Sequence, residues 1–283
     1  MKKLFTLLMI LAVASVGYSQ VRTVSKNNFG PVAKERKALR NEGEAAMQNV
    51  MIQPNMMKSN GELDYTTYDW QSNDGPRTWT HLWEDGKVNF AYTISTDVGM
   101  TSRGTGIGTY DSANDEWIPL GGRIEDEKTG FGSIARYGAN GLVVAAHTAT
   151  ECGIYIVEDK DNMAPGTAIT MEKLDSTNDP CWPNVMTSGP NRDIIHIAVT
   201  ASANNIDGME DVTDPIIYFR SKDGGETWDK ENVILPFMGP EYAIDWTSNC
   251  CHWMETTDDN CLALVVNNAW SDGMVIYSYD DGE

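Results

Sequence analysis

The sequence predicts an all-β chain of radial, four-stranded antiparallel blades, a β-propeller. Three observations predict it. Short apolar runs alternate with Asp/Asn/Gly clusters, and helix-friendly stretches are scarce. A turn-plus-strand unit recurs four times along the chain. A second strand and an Asp-rich turn follow each copy in the same order. One small twisted sheet cannot bury both of its faces, whereas blades packed face to face around an axis bury them together.

The elements follow in chain order. Lys2 and Lys3, the apolar run Leu4–Val16 and the small residues Gly17 and Ser19 before Gln20 form a secretory signal peptide, residues 1–19. Residues 20–64 are polar, with a mixed-charge run from Lys34 to Glu44, and read as a leader or linker with a short helix over 33–50. Residues 65–283 carry the repeats. The first-half strands begin at Val88, Leu142, Ile194 and Cys261, roughly 50 to 70 residues apart, a period that suits propeller blades. The second-half strands run through Ile107, Ile154, Ile217 and Val275. Gly130–Ile134 and Cys181–Val185 form a third echo, with a weaker copy at Glu241–Asp245. His147 and His196 read as equivalent repeat positions, which points to packing and not to a metal site.

The most informative motif is Ser221-Lys222-Asp223-Gly224-Gly225-Glu226-Thr227-Trp228, which matches S-x-D-x-G-x-T-W. Asp223 can accept hydrogen bonds from N–H groups of a tight turn. Gly225 supplies backbone angles closed to other residues. Trp228 covers the hairpin with a large apolar face, and Ser221 and Thr227 complete the pattern. Ser278, Asp280 and Gly282 repeat the motif without its Thr and Trp, which predicts that the sequence continues beyond Glu283. A degenerate copy lies at Thr109–Trp117, where Asp111 and Trp117 survive.

These repeats resemble the Asp-box (BNR-repeat) proteins of the sialidase-like propeller superfamily. Within it, the chain resembles exported bacterial surface proteins of the type IX secretion kind. Tyr68-Asp69-Trp70-Gln71-Ser72-Asn73, Arg103-Gly104-Thr105-Gly106, Gly130–Ile134, Trp182-Pro183 and the box at Ser221 carry that likeness. It implies six blades when complete, about four of them present. It also implies that Asp-boxes are structural devices away from the substrate face, so Asp223 and Asp280 are fold residues.

The net charge is −20, and removal of the leader takes away two Lys and no acid, giving −22. Such a surface repels nucleic acid and anionic membranes. No run after the leader approaches the roughly 18 apolar residues of a membrane-spanning helix. The chain is thus expected to use the export machinery and to end up secreted or on the outer cell surface. Five cysteines, Cys152, Cys181, Cys250, Cys251 and Cys261, show no C-x-x-C spacing and read as structurally paired or buried.

Sialidase chemistry needs an arginine cluster for a carboxylate, a Tyr nucleophile activated by Glu, and an Asp acid/base. The family's Arg-Ile-Pro segment is broken here, because Glu125 follows Arg123-Ile124. There is no G-x-S-x-G elbow either. The expectation is a propeller that binds glycan or another surface polymer without catalysis, with an exo-acting, sialidase-like glycoside hydrolase as the alternative. Passive adhesion is a third class. Candidate ligand-binding residues are Arg77, Arg103, Arg123 and Trp182, the last because a Trp-Pro opening a repeat can face the axial funnel. Catalytic residues are not assigned and no cofactor or metal is expected. Asp159–Asn162 and Asp258–Asn260 are weak Ca²⁺ candidates that read better as polar turns.

Overall fold

The computed structural model describes residues 64–68, 71, 78–149, 151–201, 206–209, 211–212, 214–236, 238–240, 252–256, 261–267 and 273–283. They are all-β apart from one 3-10 turn at Ser176–Asn178. The signal-peptide and linker expectations, Arg77, Cys250, Cys251 and Asp258–Asn260 lie outside the described residues.

Four up-and-down antiparallel sheets follow one another. Blade 1 holds β1 (Thr80–Leu82), β2 (Val88–Ile94), β3 (Gly104–Asp111) and β4 (Glu116–Arg123). Blade 2 holds β5 (Gly130–Tyr137), β6 (Gly141–His147), β7 (Cys152–Val157) and β8 (Ile169–Thr170). Blade 3 holds β9 (Cys181–Ser188), β10 (Ile194–Thr200), β11 (Ile216–Ser221) and β12 (Lys230–Ile234). Blade 4 shows β13 (His252–Thr256), β14 (Leu262–Asn267) and β15 (Gly273–Ser278) among the described residues. The first strands of successive blades pack on one another, β1 on β5, β5 on β9 and β9 on β13. This radial arrangement of four-stranded meanders around the first strands is that of a β-propeller.

Both faces of the middle strands are buried, so they read as continuous apolar runs. In β6, Leu142, Val144 and Ala146 enter the core shared with blade 1. Val143 and Ala145 alternate with them and enter the core shared with blades 3 and 4. Fully burying each such Val, Ile or Leu contributes about 1.5–3 kcal/mol. The last strands β4 and β12 are largely exposed, so their polar composition carries no alternation.

Hydrogen bonds around the axis tie the blades in sequence. The register places His81, Arg136, Thr187 and Thr256 at one equivalent position of β1, β5, β9 and β13. Thr187 Oγ1 donates to Arg136 O at 2.6 Å, and Thr256 Oγ1 donates to Thr187 O at 2.5 Å. The same threonine position is reused one blade further on.

The register also corrects one expectation. His147 pairs with Gly130, whereas His196 pairs with Met186 deep in blade 3. Thr200, paired with Cys181, is the true counterpart of His147. The two histidines therefore sit toward opposite ends of their strands.

Candidate functional site

Strands that alternate in direction send their connections to two opposite faces. The turns after the first and third strands share one face, and those after the second and fourth strands share the other. The Asp-rich turns lie on the first face. There the Asp223 carboxylate accepts from Thr227 N at 2.8 Å, from Thr227 Oγ1 and from Ser221 Oγ. Ser221 Oγ in turn accepts from Gly225 N at 2.8 Å. Ser278, Asp280 and Gly282 repeat the pattern, with Gly282 N donating to Ser278 Oγ at 2.8 Å. Trp228 Nε1 donates to Glu172 O of blade 2, so that ring covers the neighbouring blade. Gly224 sits at φ +76° with Tyr137 Oη where a Cβ would go, a position that requires glycine. Asp111 and Asp159 hold the corresponding turns of blades 1 and 2 through Ala113 N and Asp161 N, each at 2.9 Å.

At Asp159–Asn162 the carboxylates are already taken by cations and N–H donors. Asp161 pairs with Lys87 at 2.6 Å and with Lys160 at 2.8 Å. Asn140 and Asn162 donate to Asp159. That arrangement suits a polar turn and leaves a Ca²⁺ ion few oxygens to share.

The opposite face is unusual. At the start of β5, Gly130 pairs with His147 and Ser133 with Ala145, so two residues, Phe131 and Gly132, face the single Ala146, which is a β-bulge. At the start of β9, Cys181 to Asn184 faces Thr200 to Ala198 in the same way. The residue after each bulge opening is a large aromatic in the left-handed region, Phe131 at φ 53° and Trp182 at φ 52°. That backbone costs roughly 1–2 kcal/mol for any residue with a Cβ. Three buried polar atoms on this face have no hydrogen-bond partner among the described residues: Thr105 Oγ1, Trp182 Nε1 and Thr200 Oγ1. Backbone strain on the same face as unsatisfied polar atoms marks this face as a candidate site.

A row of side chains joins the two bulges. Arg103 donates from Nε to Thr129 O at 2.8 Å, and its guanidinium lies 5.8 Å from the centre of the Tyr68 ring. A Cβ on Gly130 would come within 3.0 Å of His147 Nε2 and 3.1 Å of Arg103 Cζ, so glycine lets the two approach. The His147 ring stacks on Phe131 at 5.3 Å, and its Nδ1 lies 3.5 Å from Cys181 Sγ. Cys181 adjoins Trp182. Arg103 and His147, backed by the buried Phe131, thus line one rim with Cys181, and Trp182 follows Cys181 along β9, so that three blades contribute.

Arg123 takes a different place. It donates to the carbonyls of Arg103 at 3.1 Å and of Asp126 at 3.0 Å, and so holds the loop that presents Arg103. Glu125, which breaks the Arg-Ile-Pro pattern, is buried and accepts from Thr105 N at 2.9 Å and Thr129 Oγ1 at 2.8 Å. Burial pushes its carboxyl up, against the pull of those donors. Sequence reasoning missed His147 and Phe131 in this role. The echo between Gly130–Ile134 and Cys181–Val185 was the available signal.

Three groupings outside the rim resemble catalytic machinery in part. Ser188 Oγ lies 2.7 Å from His196 Nε2, but the carboxylate, Asp281, contacts the serine and not the imidazole. His196 Nδ1 faces Tyr218 Oη at 2.7 Å. Burial, then the Arg220 charge, pushes His196 down to about 3, so it is a poor base. Tyr155 donates to Glu127 at 2.8 Å and Tyr92 donates to Asp64. Burial first, and then the adjacent carboxylate, pushes both phenols up, away from a nucleophile.

No family model matches the chain, and no curated protein matches it. Among solved structures it is similar to TolB from Acinetobacter baumannii, at 10% identity and TM-score 0.40, over 68% of this chain and 38% of that one. It is similar to the Hadza microbial sialidase Hz136 at 12% identity and TM-score 0.43, over 70% and 42%. It is also similar to Zg3597, a family 117 glycoside hydrolase from the marine bacterium Zobellia galactanivorans, at 11% identity and TM-score 0.45, over 78% and 72%. The chain spans less than two thirds of the length of the first two. Nothing about ligand or reaction passes to this chain from likeness at this level.

Proposed function

We propose that the protein is an exported surface propeller that holds a glycan, without cleaving it, against the face formed by Arg103, Phe131, His147 and Trp182. The observation that carries this reading is that three buried polar atoms, Thr105 Oγ1, Trp182 Nε1 and Thr200 Oγ1, have no hydrogen-bond partner among the described residues, on the face that holds two strained aromatics. A sugar offers hydroxyls for the polar atoms and an apolar ring face for stacking. The turn at Ser221–Trp228, read as an Asp-box, faces the other way and acts as a fold device. Export rests on the leader, and N-terminal sequencing of the mature protein is expected to begin at Gln20.

The test is a glycan array together with polysaccharide pull-down, comparing wild type with Trp182→Ala. Binding that is lost in the variant is the expected result. Silence of the wild-type protein in both assays overturns the reading. A second reading, exo-acting hydrolysis of the sialidase type, is favoured by Arg103 at the rim, because a guanidinium pairs bidentately with a sugar carboxylate. A fluorogenic sialoside left intact by the protein removes it.

A further inference from the structure

Arg103 reaches the rim from the end of the β2–β3 connection, and a chain of contacts behind it leads to one buried acid, Glu125. Glu125 Oε2 accepts from Thr105 N at 2.9 Å, two residues beyond Arg103, and Oε1 accepts from Thr129 Oγ1 at 2.8 Å. Thr129 O in turn accepts from Arg103 Nε at 2.8 Å, and Thr129 N donates to Arg103 O at 3.3 Å. Ile124 N closes the circuit by donating to Thr105 O at 2.9 Å. One carboxyl group thus ties the segment that carries Arg103 to the segment that receives its side chain.

The surroundings are shaped for this group. Burial pushes its carboxyl up, and among the described residues no Lys or Arg side chain forms an ion pair with it. Burying such a group is costly unless donors are aimed at it, as Thr105 N and Thr129 Oγ1 are here. A Cβ on Gly104 would come within 2.9 Å of Glu125 Oε2 and 2.5 Å of Arg123 Cβ, so glycine lets the carboxyl lie against the backbone. Thr105 N can only donate, whereas the Thr129 hydroxyl both donates and accepts. The neutral acid, or a glutamine, therefore makes the same two bonds, and an alanine makes neither. Glu125 also stands where the Arg-Ile-Pro pattern has Pro, whose ring offers no acceptor.

We infer that Glu125 is a positioning residue of the rim: through Thr105 and Thr129 it holds Arg103 in the orientation that the rim presents. The inference rests on the reading of this rim as the binding face, and its first test needs no ligand. In protein carrying isotope-labelled arginine, hydrogen exchange is followed at Arg103 Nε–H, identified by its loss in Arg103→Lys. The Nε–H groups of Arg136 and Arg220, bonded to Gly138 O and Asp229 at 3.0 Å each, serve as internal references. Glu125→Ala is expected to speed exchange at Arg103 about fivefold, and Thr129→Val to speed it less. Glu125→Gln is expected to match wild type, and the references stay unchanged throughout. The inference is overturned if Arg103 in Glu125→Ala exchanges as in wild type, or if Glu125→Gln behaves like Glu125→Ala. It is also overturned if the references speed up as much as Arg103, since that is a general loosening. Should Glu125→Ala fail to fold, Thr129→Val decides, and exchange as in wild type overturns the inference. The glycan array gives the second readout, with binding weakened in Glu125→Ala and kept in Glu125→Gln. Array binding by Glu125→Ala equal to that of wild type overturns the inference and leaves the glycan reading in place. Silence of the wild-type protein removes the glycan reading, while the exchange result at Arg103 stands by itself.

Discussion

Trp182 holds a left-handed backbone at φ 52°, in the same bulge position as Phe131. A glycine takes this backbone freely, while an alanine retains the Cβ cost. Trp182→Gly is therefore expected to be more stable than Trp182→Ala by about 1 kcal/mol, although both lose the ring. Thermal unfolding of the two variants checks this, and equal midpoints would show that the backbone is not strained. The Trp-Pro pair at the start of a repeat made this residue readable, but its strain was not. Strain depends on the bulge, and the bulge depends on which residues of β10 face Cys181 and Asn184. Arg103 was equally readable as a candidate. Arg123 has the same residue type in a similar setting, yet its guanidinium is spent on the carbonyls of Arg103 and Asp126. Residue type alone cannot tell a ligand-facing arginine from one that braces a loop.

At the scale of the element, the Asp turns show how little sequence a repeat must keep. All four turns place an Asp just after the third strand or at its end, Asp111, Asp159, Asp223 and Asp280. Of the turns in blades 1 to 3, only the one at Ser221 carries the whole motif. Blades 1 and 2 replace the Thr contact with an asparagine, Asn114 or Asn162, that donates to the carboxylate at 3.0 and 2.5 Å. Asp223→Ala removes acceptors from Thr227 N, Thr227 Oγ1 and Ser221 Oγ, all close to solvent. It is expected to cost about 1–2 kcal/mol and to leave glycan binding unchanged, because the turn lies on the opposite face. Chemical denaturation and the glycan assay report the two halves separately, and a variant that folds but does not bind contradicts the assignment. The middle strands were legible because both faces are buried. The register of blade 3 was less so: Ile194 and Ile195 are both apolar, and the structure matches Leu142 with Ile195, one residue beyond the strand start read from the sequence. The pairing of His147 with Gly130 could not be read at all, since it follows from that register and from the bulge.

The whole molecule is joined by buried polar contacts as well as by apolar cores. Arg220, with no exposed side-chain surface, donates to Asp229 at 2.6 Å, Glu283 at 2.8 Å and Asp281 O at 2.6 Å, and so fastens the last turn of blade 4 to blade 3. The neutral His196 sits beside it. Its folded pKa is pushed down to about 3 by burial and by Arg220, against 6.5 for the free side chain. Between these two values the unfolded chain binds a proton that the folded chain refuses, so stability falls as pH falls from about 6.5. Above that pH His196 adds no dependence. At pH 5 its share amounts to about 2 kcal/mol. The His81 ring, also pushed down, acts in the same direction. Paired carboxylates such as Asp229 and Glu283 are held below the usual range by their cationic partners, and they lose stability only at lower pH, near their unfolded values. The buried Glu125 carboxyl, pushed up, acts in the opposite direction over the interval from pH 7 to 5, so the contribution of His196 is read as the difference between wild type and a variant that lacks the imidazole. Urea unfolding at these two pH values is expected to show wild type losing stability and His196→Gln losing markedly less. Equal losses in wild type and His196→Gln over this interval would mean that His196 takes up its proton in the folded state, and that the Ser188–His196–Tyr218 contacts are rearranged when it does.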